Sequence, residues 1–113
     1  MGIINLTDTN FDACINNVSL PIMVDFYATW CGPCRALSSF IDKIYKECDG
    51  KLNIAKCDVE QASNIVEKYN IGNLPCIIFF NNGKEFDRVV GFNQVKTREI
   101  IDSVLSDKLK FIN

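Results

Sequence analysis

In the run VDFYATWCGPCRAL, residues 24–37, two cysteines stand three positions apart with Gly32 and Pro33 between them, and one carboxylate, Asp25, interrupts the apolar residues upstream. Cysteines at this spacing can hold a metal, staple a loop or cycle between dithiol and disulfide. A metal site needs more ligands. The chain has no histidine and no second C-x-x-C, and Cys14, Cys48 and Cys57 fall on separate predicted elements. A permanent bridge between Cys31 and Cys34 would close too small a loop to restrict the unfolded chain much. These residues favour a reactive dithiol.

The flanking elements decide how such a dithiol is presented. After Pro21 the run over 22–28 is almost unbroken apolar sequence, the signature of a central parallel strand covered on both faces. Residues 32–48 then place Cys34, Leu37, Ile41, Ile44 and Cys48 on one stripe, flanked by Phe40 and Tyr45, which predicts the longest helix. Cys31 falls between the two, beyond the carboxyl end of the strand, where open α/β sheets place their sites. A helix N-terminus offers unpaired N–H groups and partial positive charge, which favour thiolate over thiol. Cysteines so placed have pKa values of roughly 3.5–7.5. Cys31 is therefore the expected nucleophile. Cys34, one turn into the helix and on its apolar stripe, is expected to be shielded and to resolve the mixed disulfide.

The rest of the chain supplies the scaffold. Phe11, Cys14, Ile15 and Val18 predict a helix over 8–18 with Thr7 as its cap. "LNIAKC" at 52–57 reads as a strand, and Ala62, Ile65, Val66 and Tyr69 mark a helix after it. "CIIFF" at 76–80, the turn signal Asn82-Gly83 and "KEFDRVV" at 84–90 predict an antiparallel pair. A last helix, capped by Thr97, buries Ile100, Ile101, Val104 and Leu105. Strand and helix alternate before a terminal hairpin, so the fold class is α/β: a mixed sheet with helices on both faces and right-handed crossovers. Without repeats or linkers, residues 1–113 read as a single domain, with no structure assigned to the tail after about 105.

At 113 residues and 48% apolar composition the chain can build a core without staples, so its six cysteines need not form a disulfide framework. A net charge of −2 and the lack of a basic patch argue against nucleic acid as a partner. Asp8 and Asp12 interrupt any apolar signal region, Leu6 stands where Gly2 myristoylation wants Ser or Thr, and no apolar run is long enough to span a bilayer. The expected setting is a reducing, cytoplasmic compartment with no membrane partner.

The segment TWCGPCR within VDFYATWCGPCRAL resembles the active-site segment of the thioredoxin family. The resemblance extends from IINLTDTNFD through NLPCIIFFNNGKE to VVGF. It implies a thioredoxin fold, a central mixed β-sheet of about five strands flanked by four helices. It also implies that Asp25 lies buried beneath the dithiol and assists proton transfer at Cys34, with Lys56 nearby. A carboxylate in a doubly covered strand must be paired, protonated or costly. The alternatives are an exposed strand-edge Asp25 and a Lys56 that reaches solvent from the strand end, although Lys56 shares parity with Leu52 and Ile54. Pro75 opens its strand and matches the family's cis-proline. Leu74 before it then offers backbone to a substrate chain, and Trp30, Gly32, Pro33, Leu74, Pro75 and Gly91 form the docking patch. Trp30 as a core aromatic is the alternative.

Some positions depart from the family pattern: Ser39 replaces a mid-helix proline, Asn73 a small residue, Cys76 a threonine after the cis-proline, and Tyr27 a frequent tryptophan. With Gly-Pro and no cation between the cysteines, the reduced form gains little extra stabilisation, so the pair is expected to be a reductant. The resemblance implies a monomeric protein-disulfide reductase without a cofactor, acting on disulfide-containing proteins and recharged by a thioredoxin reductase. The rivals are a secretory isomerase or oxidant and a binding module whose dithiol is incidental. Of the other thiols, Cys14, Cys48 and Cys76 are expected to be shielded, Cys76 on the face opposite the dithiol, and Cys57 at its strand end to be the accessible one.

Overall fold

The computed structural model describes residues 2–17, 20–48 and 50–106. Among them the chain runs β1 (Ile4–Leu6), α1 (Phe11–Asn17), β2 (Ile22–Tyr27), α2 (Gly32–Cys48), β3 (Asn53–Asp58), α3 (Ser63–Lys68), β4 (Cys76–Asn81), β5 (Lys84–Val90) and α4 (Gln94–Ser106), with a 3-10 turn at Val59–Gln61. Val18 and the tail after Ser106 lie outside the described residues. The five strands form one mixed sheet in the order β1-β3-β2-β4-β5, with β1, β3 and β2 mutually parallel and β4 and β5 antiparallel to their neighbours.

β2 is the middle strand, which is why its sequence is apolar on both faces. Its Ile22, Val24 and Phe26 pack with Phe11 and Ile15 of α1 and Ile65 of α3, whereas Met23 packs with Leu37, Ile41 and Ile44 of α2 and with Ile101 and Val104 of α4. Each such fully buried Leu, Ile or Phe stabilises the fold by about 1.5–3 kcal/mol. On the first face Phe11 anchors an aromatic cluster, with ring centroids 5.9 Å from Phe26, 5.7 Å from Phe80 and 5.6 Å from Tyr69. Side chains alternate along β2, so Asp25 points to the α2 side with Met23.

Asn82 and Gly83 both have positive φ, 53° and 80°, the conformation a tight hairpin turn demands. A Cβ at Gly83 would also meet the end of the exposed Asn16 side chain, which would have to swing aside, so it is the positive φ that favours glycine there.

Of the two expected helix caps, Thr7 makes the capping contacts ahead of α1, its carbonyl accepting the Phe11 N–H at 3.1 Å, and only Thr97 is corrected. α1 begins at Phe11, later than the apolar spacing implied, because residues 7–10 close a turn: the Thr7 N–H donates to Asn10 Oδ1 at 2.8 Å and Thr7 Oγ1 accepts from the Thr9 N–H at 3.2 Å. α4 is capped by Asn93, whose Oδ1 accepts the Lys96 N–H at 2.9 Å. Thr97 lies one turn inside, its buried hydroxyl donating to the Asn93 carbonyl at 2.8 Å. α2 runs unbroken through Ser39, and β3 sits one residue later than expected.

Candidate active site

Cys31 is the last residue before α2. Its N–H donates to the Ala28 carbonyl at 3.2 Å, turning the chain out of β2, and its carbonyl accepts the Arg35 N–H at 3.3 Å, opening the helix. The Cys31 and Cys34 sulfurs are joined in a disulfide with the Cα atoms 5.2 Å apart, and the Cys34 N–H donates to Cys31 Sγ at 3.3 Å. A first-turn amide aimed at the sulfur favours negative charge there. Cys31 is 7% exposed and Cys34 2%. The pair packs with Ala28, Tyr27, Val59 and Leu74.

Asp25 lies on the middle strand and is 1% exposed, which excludes the strand-edge alternative. Among the described residues its Oδ1 has no hydrogen-bond partner. Burial is the dominant influence and pushes its pKa up to about 7; Lys56 pulls it down and Asp42 raises it further. Asp25 and Lys56 are register partners across β2 and β3. The Lys56 ammonium nonetheless donates to Ser38 Oγ at 2.6 Å and pairs with Asp42 Oδ1 at 3.2 Å. Lys56 is thus neither a solvent-reaching lysine nor a hydrogen-bond partner of Asp25. A cavity of about 290 Å³ lined by Asp25, Tyr27, Ala28, Thr29, Cys34, Arg35, Ser38 and Lys56 joins the carboxylate to Cys34.

The expected docking residues come from three segments, and Leu74 among them packs against the cysteine pair. Trp30 is 69% exposed and is no core aromatic. Gly32 and Pro33 are exposed, Leu74 is half-buried against the cysteine pair, and Pro75 is buried after a cis peptide bond. The Gly91 N–H donates to the Pro75 carbonyl at 2.8 Å, which ties the end of β5 to the start of β4. Gly91 has φ 89°, between the exposed apolar side chains of Val90 and Phe92.

The remaining cysteines are free. Cys76 lies buried in the α1 and α3 cluster, opposite the dithiol as its parity required. Cys57 overturns the expectation of an accessible thiol: although near its strand end it is fully buried in the same cluster, because β3 is flanked by strands on both sides and roofed there by α1 and α3. Desolvation, with Asp8, Asp58 and Asp25 nearby, pushes its pKa up to about 12. Cys14 is the half-buried one.

Sequence reasoning missed Ser38, Asp42 and Val59. The first two were within reach, since Cys34, Ser38 and Asp42 recur at four-residue intervals and so share a face of the long helix. Val59, in the 3-10 turn after β3, carries no such signal.

A family model described as thioredoxin matches residues 2–105. Among curated relatives, a thioredoxin of Rickettsia felis is 40% identical over 90 residues, 80% of this chain and 86% of that protein. A thioredoxin of Staphylococcus epidermidis is 37% identical over 106 residues, 93% of this chain and 100% of that protein. The solved structure described as Plasmodium falciparum thioredoxin superposes with a TM-score of 0.83 at 30% identity, covering 89% of this chain and 98% of that one.

Proposed function

The chain belongs to the thioredoxin family, and from that premise we propose that it reduces protein disulfides through Cys31 as nucleophile and Cys34 as resolving thiol, with Asp25 as proton acceptor. The observation that carries the reading is the disulfide between Cys31 and Cys34 at the N-terminus of α2, beside an exposed Trp30 and above a buried carboxylate.

The Cys31 thiolate attacks one sulfur of the substrate disulfide. The substrate S–S bond breaks, a mixed disulfide forms, and the first substrate sulfur departs as thiolate and takes a proton from water. Cys34 then gives its proton to the Asp25 carboxylate across the shared cavity and attacks Cys31 Sγ. The second substrate sulfur departs and is protonated in turn. Two electrons pass to the substrate, and the Cys31–Cys34 disulfide remains. A carboxylate whose pKa is raised to about 7 is well matched to accept and return a proton near neutrality.

Trp30, Gly32, Pro33, Leu74, Pro75 and Gly91 receive the substrate chain. Lys56 acts on Asp25 through its charge. The electrons are returned by a flavin-containing thioredoxin reductase, the protein works as a monomer in the cytoplasm, and residues 1–113 act as one domain. Insulin-disulfide reduction with dithiothreitol, and with a thioredoxin reductase and its reductant, tests the reading. Turnover in both is expected, and failure in both overturns it.

A further inference from the structure

Cys34, Ser38 and Asp42 form one row along α2, and Lys56 reaches up from β3 to the last two of them. This is the less obvious of two arrangements. Lys56 sits directly beside Asp25 in the β2–β3 register, and a buried carboxylate with an unpartnered Oδ1 is the strongest acceptor an ammonium could find. Two oxygens on the helix draw the ammonium elsewhere: Ser38 Oγ at 2.6 Å, and Asp42, itself largely exposed, at 3.2 Å. Ser38 is the nearer anchor and lines the same cavity as Asp25 and Cys34.

We propose that Ser38, supported by Asp42, is a positioning residue that holds the Lys56 ammonium out of hydrogen-bond contact with Asp25 and so keeps that carboxylate able to take the Cys34 proton. Direct pairing with Lys56 would favour the ionised form of Asp25 and weaken it as a base. Held by Ser38, the ammonium tempers the cost of the buried charge from a distance without quenching it. Residues such as Ser38 tune the site without touching substrate.

The groups facing Asp25 are few. β3 contributes Lys56, with Asp58 beyond it beside Tyr27. α2 contributes Cys34, Arg35 and Asp42; β2 itself contributes Tyr27; and β4 presents Ile77 as register partner. Cys57 and Cys76 lie on the other face of the sheet. Lys56 is therefore the one cation whose placement Ser38 can change at this site among the described residues.

The inference rests on Asp25 as proton acceptor, but it can fail separately. In the oxidised protein the Asp25 carboxyl carbon is titrated by NMR, and in the reduced protein the pH profile of the substrate-release step is measured. Ser38→Ala improves helix propensity and removes the nearer anchor. It is expected to lower the Asp25 midpoint by about one pH unit. In a Lys56→Gln background the same Ser38→Ala exchange should leave the midpoint where it was. An Asp25 midpoint unmoved or raised by Ser38→Ala in the presence of Lys56 overturns the inference. A midpoint that falls while the release profile stays put would keep the positioning role and overturn Asp25 as proton acceptor.

Discussion

The backbone N–H of Cys34 donates to the sulfur of Cys31 at 3.3 Å, so the resolving residue's own amide supports the attacking sulfur. The two thiols are unequal in exposure as well as electrostatics, with Cys31 on the rim and Cys34 inside the helix stripe. Cys31→Ser is expected to abolish disulfide reduction. Cys34→Ser leaves attack intact and removes release, so covalent complexes accumulate on non-reducing gels. Trapping by the Cys31 variant alone would reverse the two roles.

Asp25 makes stability fall as pH rises. Its folded-state pKa, raised to about 7 by burial, lies above the unfolded value of 3.8, so the folded state holds the proton more tightly. The contribution is fully favourable below about pH 4 and is lost as pH climbs to about 7, beyond which it levels off. Asp25→Asn removes this dependence. The variant should gain on the native chain through that window by up to about 4 kcal/mol, taking 1.36 kcal/mol per unit. Turnover at neutral pH should slow, because the proposed mechanism loses its proton acceptor. Urea melts at pH 5 and pH 8 decide the matter: a variant destabilised at pH 8 would make Asp25 a satisfied structural carboxylate.

Trp30 is mostly exposed beside the nucleophile, so its side chain contributes little to the core. Trp30→Ala should change stability by no more than about 0.5 kcal/mol. It should raise KM for a protein disulfide several-fold while leaving reactivity toward a small disulfide nearly unchanged. Equal losses on both substrates would assign Trp30 to the chemistry and not to docking.

α2 was legible to the residue because seventeen positions repeat one stripe, and β2 because an unbroken apolar run has few other uses. β1 escaped because three residues carry no readable alternation and gain their strand from pairing with Ala55, Lys56 and Cys57. The start of α3 was illegible for a similar reason. Ala62 offers no side-chain cap, and Asp8, far away in sequence, accepts the Asn64 and Ile65 N–H groups at 3.2 and 3.1 Å. In the site, the motif and Asp25 could be read locally. The Lys56 anchorage could not, since it depends on β3 meeting α2 in space. Asn93 was overlooked in favour of Thr97, and the difference is measurable: Asn93→Ala should cost about 1 kcal/mol, read as a lower thermal midpoint.

The four free cysteines carry the last prediction, and burial decides it. After denaturation the oxidised protein should show four free thiols, the Cys31–Cys34 pair being bonded. In the folded state Cys48, Cys57 and Cys76 are buried, and desolvation raises the pKa of each, to about 12 for Cys57. Alkylation requires both a thiolate and access, and these three lack both. Burial also raises Cys14, yet it sits half-buried on α1, packed against the core at one side only. Cys14 should therefore be the first of the four to react with iodoacetamide at pH 8, with the other three following only as the protein opens. In the reduced protein Cys31 should react before all of them at mildly acidic pH. Mass-mapped modification of Cys57 or Cys76 at the rate of Cys14 would mean that the α1 and α3 face opens in the native state far more readily than its packed aromatic cluster allows.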